Sequence, residues 1–192
     1  MLTTPENLFP ELSMFREQLR LTEEPVFVPV RPRRGSIPDN CTKDVRKQVA
    51  EHGGMEVLGW LIWCWPGISA EATFHSVWRA TDGTLVDVSR KTDGEKRILF
   101  IPDPTLAYTG ERIDTVRIRL RSHPLVQAFI RAGDAFDSEF VAQYGRRHRG
   151  KVILRGRLLE LHEEKAELTL RLLNLAMAAG NEPKGTRELA AC

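Results

Sequence analysis

The chain is short of cysteine, of net charge and of long apolar runs. Three widely separated cysteines in 192 residues, an odd number, argue against a disulfide framework and for a reducing compartment. No close Cys-x-x-Cys or His-x-x-x-His pair occurs, so the usual zinc-ligand spacing is missing. The dispersed trio Cys41, Cys64 and His75 could still supply three ligands. A balance of 28 basic against 26 acidic residues gives a net charge of +2, which provides no general attraction to nucleic acid or to a membrane surface. No window approaches the 18 or so uncharged apolar residues of a membrane span; the richest, Val57 to Ile68, is short and holds Pro66. The segment Met1 to Asn7 has neither the basic start nor the apolar run of a signal peptide. The expectation is a cytoplasmic protein without membrane contact, resident metal or cofactor.

What is present suffices for a folded domain. The 42% apolar content supports a core. The pattern divides into an α+β core over residues 1–122 and a helical C-terminal region over 123–192, which either packs on the core or dimerises. Residues 5–20 read as a first helix with Leu8, Leu12, Phe15 and Leu19 on one face. Val26 to Val30 reads as an edge strand because it holds Pro29. Strands at Val57 to Trp65, Ala70 to Arg79, Thr84 to Val88, Ile98 to Ile101 and Val116 to Leu120 make a mixed or antiparallel sheet of about five strands. Helical periodicity returns from Pro124. The last helix, about Val152 to Met177, carries Leu154, Leu158, Leu161, Lys165, Leu168, Leu172 and Leu175 at alternating spacings of four and three. That is a heptad seam with one lysine in it, suited to the domain's own surface or to a second copy.

The chemistry concentrates between Asn40 and Ser89. Asp39 and Asn40 are good N-cap residues, Thr42 to Ala50 has helix-forming composition with Val45 and Val49 four apart, and Gly53-Gly54 can end the helix. Cys41 thus falls in the first turn, at the positive end of the helix dipole, where a thiolate is stabilised. His75 lies on a strand, and Thr81-Asp82-Gly83 turns that strand into the one bearing Asp87. A three-residue loop with Gly83 left-handed pairs Ala80 with Thr84 and puts Asp87 opposite Val77, diagonal to His75 on one face. A two-residue loop would pair Asp87 with Trp78 and turn the carboxylate to the wrong face.

A cysteine at a helix start, a glycine pair, a strand, a histidine strand and an aspartate strand, in that order, resemble the transglutaminase-like branch of the papain-like cysteine enzymes. More narrowly, Glu71 to Trp78, Gly83 to Val88 and Ile98 to Pro104 look like an uncharacterised bacterial and phage family, some members of which carry a SEC-C zinc-binding tail. The broader resemblance implies a papain-like (transglutaminase-like) α+β core and cysteine-dependent amide or ester chemistry by a Cys41-His75-Asp87 triad. The product class is that of a protease, deamidase or acyltransferase acting on a protein, peptide or small amide. Thr42 stands where transglutaminases place an aromatic residue. Asn40, Trp60, Trp63 and Trp78 are the candidates to bind substrate or to help the Cys41 N–H stabilise an oxyanion. Two other classes remain open: a binding module using the basic segments 31–34 and 146–151 for a partner, and a zinc-binding protein.

Overall fold

The computed structural model describes residues 2–92, 94–148 and 150–178; Cys192, expected as a solvated terminal thiol, lies outside the described residues. The elements run α1 (Leu12–Leu19), β1 (Val26–Pro29), α2 (Cys41–His52), β2 (Met55–Trp65), β3 (Ser69–Arg79), β4 (Leu85–Val86), β5 (Arg97–Pro102), β6 (Val116–Arg119), α3 (Pro124–Tyr144) and α4 (Gly156–Ala178). This is an α+β fold around one antiparallel sheet. α1 is shorter than the periodicity predicts, because Pro10 has no N–H to give and the chain only forms a turn there before the helix begins. Leu12 and Phe15 are buried, whereas Leu8, expected on the same face, is 55% exposed.

The sheet is built on the long β2–β3 hairpin, whose register runs from Met55 opposite Arg79 to Trp65 opposite Ser69. The strand order is β1-β5-β2-β3-β4, with β6 also pairing β3, at the end far from β4. Strand alternation sorts the hairpin's side chains onto two faces. Trp60, Ile62, Ala70 and Ala72 join Leu99, Ile101 and the α1 residues Leu12 and Phe15 in one cluster. Leu61 and Val77 join Val28, Ile98 and Phe100 in another. Beyond β4 the chain turns to meet the continuation of β1. The Asp87 N–H donates to the Pro29 carbonyl at 2.9 Å, and Arg31 and Arg33 donate to the carbonyls of Asp87 and Val88. This parallel bridge, Val30 to Asp87, joins the two ends of the sheet and closes it on itself. One short segment after β4 is thereby held from both sides.

α3 and α4 form a helical pair laid on the far end of the hairpin, where Val126, Phe129, Ala132, Leu168 and Leu172 pack on Trp65 and Ile68. The heptad seam is covered within the chain: Leu158, Leu161, Leu168 and Leu172 are all buried. Each buried leucine contributes about 2 kcal/mol, and a second copy using the same seam would have to replace all of it. Of the two occupants left open for this seam, the domain's own surface and a second copy, the structure shows the first. The lysine in the seam also finds its reason, since the Lys165 ammonium lies 5.3 Å from the centre of the Phe129 ring. Arg117 of β6 anchors α3 by pairing with Asp134 and Asp137 at 2.7 Å each, and reaches back to Glu71 of β3 at 3.2 Å.

Candidate active site

The β3–β4 turn decides where Asp87 goes. The Ala80 N–H donates to the Thr84 carbonyl, Gly83 has φ of 88°, and Trp78 pairs with Val86. This is the three-residue register, which continues to place Asp87 beside Val77 and diagonal to His75. Only glycine adopts such a φ without cost, so Gly83 selects the loop and the loop selects the face. Asp87 is fully buried. Its Oδ2 lies 2.9 Å from His75 Nε2, and its Oδ1 accepts the Ser89 N–H at 2.8 Å.

α2 delivers the thiol. Cys41 is the first residue of the helix and a free cysteine. Asn40 occupies the N-cap position as expected, but its side chain makes no capping hydrogen bond. α2 lies along the β3–β4 side of the sheet, with Val45 packed against Val86 and Val88 and with Val49 and Trp78 beside them. That packing fixes the helix start against the histidine strand. The Cys41 sulfur lies close enough to the His75 side chain and to the Ser76 and Thr42 N–H groups for all three to lower its pKa. With Nε2 turned to Asp87, the ring nitrogen left for the sulfur is Nδ1.

The electrostatics follow from these contacts. Burial pushes the Cys41 thiol up, but the His75 charge, its hydrogen bond and the two backbone N–H groups outweigh it, so the thiol sits below its ordinary value. Burial would discharge His75, yet the Asp87 carboxylate overrides this and the imidazole is raised to about 9. Asp87 is itself held well below the usual carboxylate range; desolvation opposes this, and the His75 charge and hydrogen bond, then Lys91, win. Cys41, His75 and Asp87 are thus each shifted toward the charged form, thiolate, imidazolium and carboxylate, in part by one another.

Phe100 closes the site from β5, its ring edge-on to His75 with centroids 6.5 Å apart. Gly59, directly opposite His75 in β2, makes that possible. A Cβ on Gly59 would stand 2.6 Å from Phe100 Cζ and 2.3 Å from the Ile101 carbonyl oxygen.

The tryptophans go elsewhere. Trp60 lies on the opposite face of β2 from His75, and its N–H donates to Asp103 Oδ2 at 3.0 Å. Trp63 shares the histidine's face but sits four residues from Gly59, roughly 13 Å along the strand. Its N–H is given to Thr73 Oγ1 at 3.2 Å. Trp78 donates to the Gly53 carbonyl at 2.8 Å, tying the end of α2 to β3. The indole N–H groups of all three candidate tryptophans are thus given to acceptors within the chain, and the groups that lower the Cys41 thiol beside His75 are the backbone N–H groups of Ser76 and Thr42. Strand alternation alone could have removed Trp78, three residues from His75 on the same strand, whereas Trp60 required the β2–β3 register.

Two charged groups at the site carry no sequence signal. Lys91 Nζ lies 2.7 Å from Asp87 Oδ2, with its side chain only 9% exposed. Asp44, one turn along α2 from Cys41, is buried, and its Oδ2 has no hydrogen-bond partner among the described residues. Desolvation first, and then the nearby Asp87 charge, push the Asp44 carboxyl up, with Arg33 and Lys47 opposing. Lys91 falls in a charged turn that reads as solvated, and only closure of the sheet folds it inward.

The zinc trio is not assembled. Cys64 pairs with Ala70, five residues along β2 from the position opposite His75 and roughly 16 Å away. Among the described residues no group of three or more metal-ligating side chains comes together. Three arginines of the basic segments are paired within the chain: Arg33 with Glu51 at 2.6 Å, Arg147 with Glu111 at 3.1 Å, and Arg146 with both oxygens of Asp114 at 2.9 Å. Among the described residues no helix is long and apolar enough to cross a membrane. No family model, no curated protein and no solved structure matches this chain.

Proposed function

We propose that the chain is a cysteine-dependent acyl-transfer enzyme of the papain-like, transglutaminase-like kind, with Cys41 as nucleophile, His75 as general acid and base, and Asp87 as the group that orients the imidazole. The observation that carries this is the buried His75 Nε2 to Asp87 Oδ2 contact of 2.9 Å, whose imidazole reaches a thiol at a helix start. A structural histidine on a strand needs neither a thiol at one nitrogen nor a fully buried carboxylate at the other.

In this reading the Cys41 thiolate attacks the carbonyl carbon of an amide or ester. The first-turn N–H groups of α2 have no intrahelical partners, and that of Cys41 faces the developing oxyanion. His75 Nδ1–H protonates the departing amine or alcohol, leaving a thioester on Cys41 and a neutral imidazole. That imidazole then takes a proton from water or an amine as it attacks the thioester. Product leaves with Cys41 again a thiolate and His75 again protonated. Water as acceptor makes the enzyme a protease or deamidase, and an amine makes it a transferase. Neither route needs a cofactor. The engagement of Arg33, Arg146 and Arg147 by the chain's own carboxylates weighs against the binding-module reading.

The test needs no natural substrate. p-Nitrophenyl acetate should give a burst of p-nitrophenolate stoichiometric with protein, and mass spectrometry should find the acetyl group on Cys41. The burst should vanish in Cys41→Ala. A burst that survives Cys41→Ala, or an unmodified Cys41 in folded wild-type protein, would overturn the proposal.

A further inference from the structure

The Cys-His-Asp chemistry has no step for Lys91, yet its ammonium is buried at the centre of the site. Its Nζ is 2.7 Å from Asp87 Oδ2 and 3.3 Å from His75 Nε2. Two nitrogen donors therefore converge on one carboxylate oxygen, while the other oxygen is taken by the Ser89 N–H. When His75 Nε2 carries its proton, the 3.3 Å contact is between two positive groups sharing an acceptor, not a hydrogen bond. Withdrawing an ammonium from water is costly, and a neutral donor would satisfy the same lone pair. The positive charge itself needs an explanation.

We propose that Lys91 is a positioning residue that limits how tightly Asp87 holds the proton on His75, by sharing Oδ2 with the imidazole and by fixing a positive charge 3.3 Å from it. This rests on the acyl-transfer reading above. A fully buried carboxylate facing an imidazole alone would make the imidazolium too stable to release its proton to a leaving group. The groups around His75 act in opposite senses. Cys41 from α2 and Asp87 from the segment after β4 favour the protonated ring, whereas Lys91 opposes it. Phe100 from β5 is uncharged. Asp44, one turn along α2, feels the Asp87 charge together with those of Arg33 and Lys47, and is not among the groups that move His75. Among the described residues, Lys91 is thus the charge that opposes the histidine's proton.

The experiment follows the His75 ring C–H resonances by NMR across pH 5 to 11 in the full-length protein, with thiolate absorbance at 240 nm recorded in parallel. In wild type the imidazole should titrate near pH 9. Lys91→Gln keeps an N–H donor to Asp87 but removes the charge, and should move the midpoint up by about one pH unit or more. Lys91→Met should do the same where it folds. Lys91→Arg keeps the charge and should stay close to wild type. A midpoint in Lys91→Gln that is unchanged or lowered would overturn the proposal. If the acyl-transfer reading is at fault instead, wild-type protein itself will show no Cys41 thiolate absorbance at neutral pH. The two failures therefore look different.

Discussion

Replacing Asp87 with asparagine tests the site most directly. The amide keeps the size of the carboxylate and an oxygen for the Ser89 N–H, but it brings an NH2 group or a neutral oxygen to the position where His75 Nε2 and Lys91 Nζ both donate. Without the anion, His75 keeps burial and Lys91, which both discharge it, and only Cys41 in its favour. Its pKa should fall from about 9 to the ordinary 6.5 or below. That difference corresponds to about 3 kcal/mol, a factor of a few hundred. Cys41 then loses its largest charge-stabilising partner while remaining desolvated, so its thiol rises. Iodoacetamide alkylation of Cys41 at pH 7, followed by peptide mapping, should slow by about two orders of magnitude in Asp87→Asn.

Stability supplies a second readout of the same variant. A histidine whose folded pKa is raised stabilises the fold fully below about pH 6.5, and that contribution is lost as pH rises through about 9. Asp87, depressed in the fold, contributes above its ordinary value and loses this in acid. The urea midpoint of wild type should therefore decline between pH 7 and 10, and that of Asp87→Asn should change much less. Leaving Lys91 buried without its carboxylate should cost about 3 kcal/mol or more, so folding is checked by circular dichroism at low temperature. A folded Asp87→Asn protein that alkylates at the wild-type rate at pH 7 would refute the reasoning.

Two further substitutions separate the site from its supports. Gly59→Ala places a methyl group within 2.6 Å of the Phe100 ring and should cost about 1–3 kcal/mol in chemical denaturation; it should also change Cys41 alkylation, because Phe100 is the wall against which His75 rests. Trp60→Phe removes the donor to buried Asp103 and should cost about 1–2 kcal/mol. Its Cys41 alkylation profile should match wild type, and a profile that shifts would return Trp60 to the site.

Local signals in the sequence located the elements that carry the chemistry. A helix-forming run ended by Gly53-Gly54 put Cys41 at the start of α2, although the Asn40 side chain makes no capping bond, whereas the Thr81-Asp82-Gly83 turn left two registers open and the structure adopts the three-residue one that sets the face of Asp87. Both are short-range effects, in which one residue's backbone preference decides the geometry of the next few. The α+β class and the two long strands β2 and β3 were legible from their composition and alternation for the same reason, and their pairing as a hairpin came with the structure.

Only the tertiary structure decided what surrounds those residues. Periodicity says that a tryptophan is apolar and on a strand, but not which acceptor its N–H will find, so Trp60, Trp63 and Trp78 were open until Asp103, Thr73 and Gly53 were seen to hold them. The seam of α4 is equally suited to any apolar partner, and it was α3, tethered in the same chain, that covered it. Lys91 lies in a stretch whose charge reads as solvent-exposed. Its burial follows from the parallel bridge between Val30 and Asp87, a contact between residues 57 positions apart that brings the ends of the sheet together and folds the segment after β4 into the site. Such closure depends on the summed twist and register of every strand between, which no local pattern encodes.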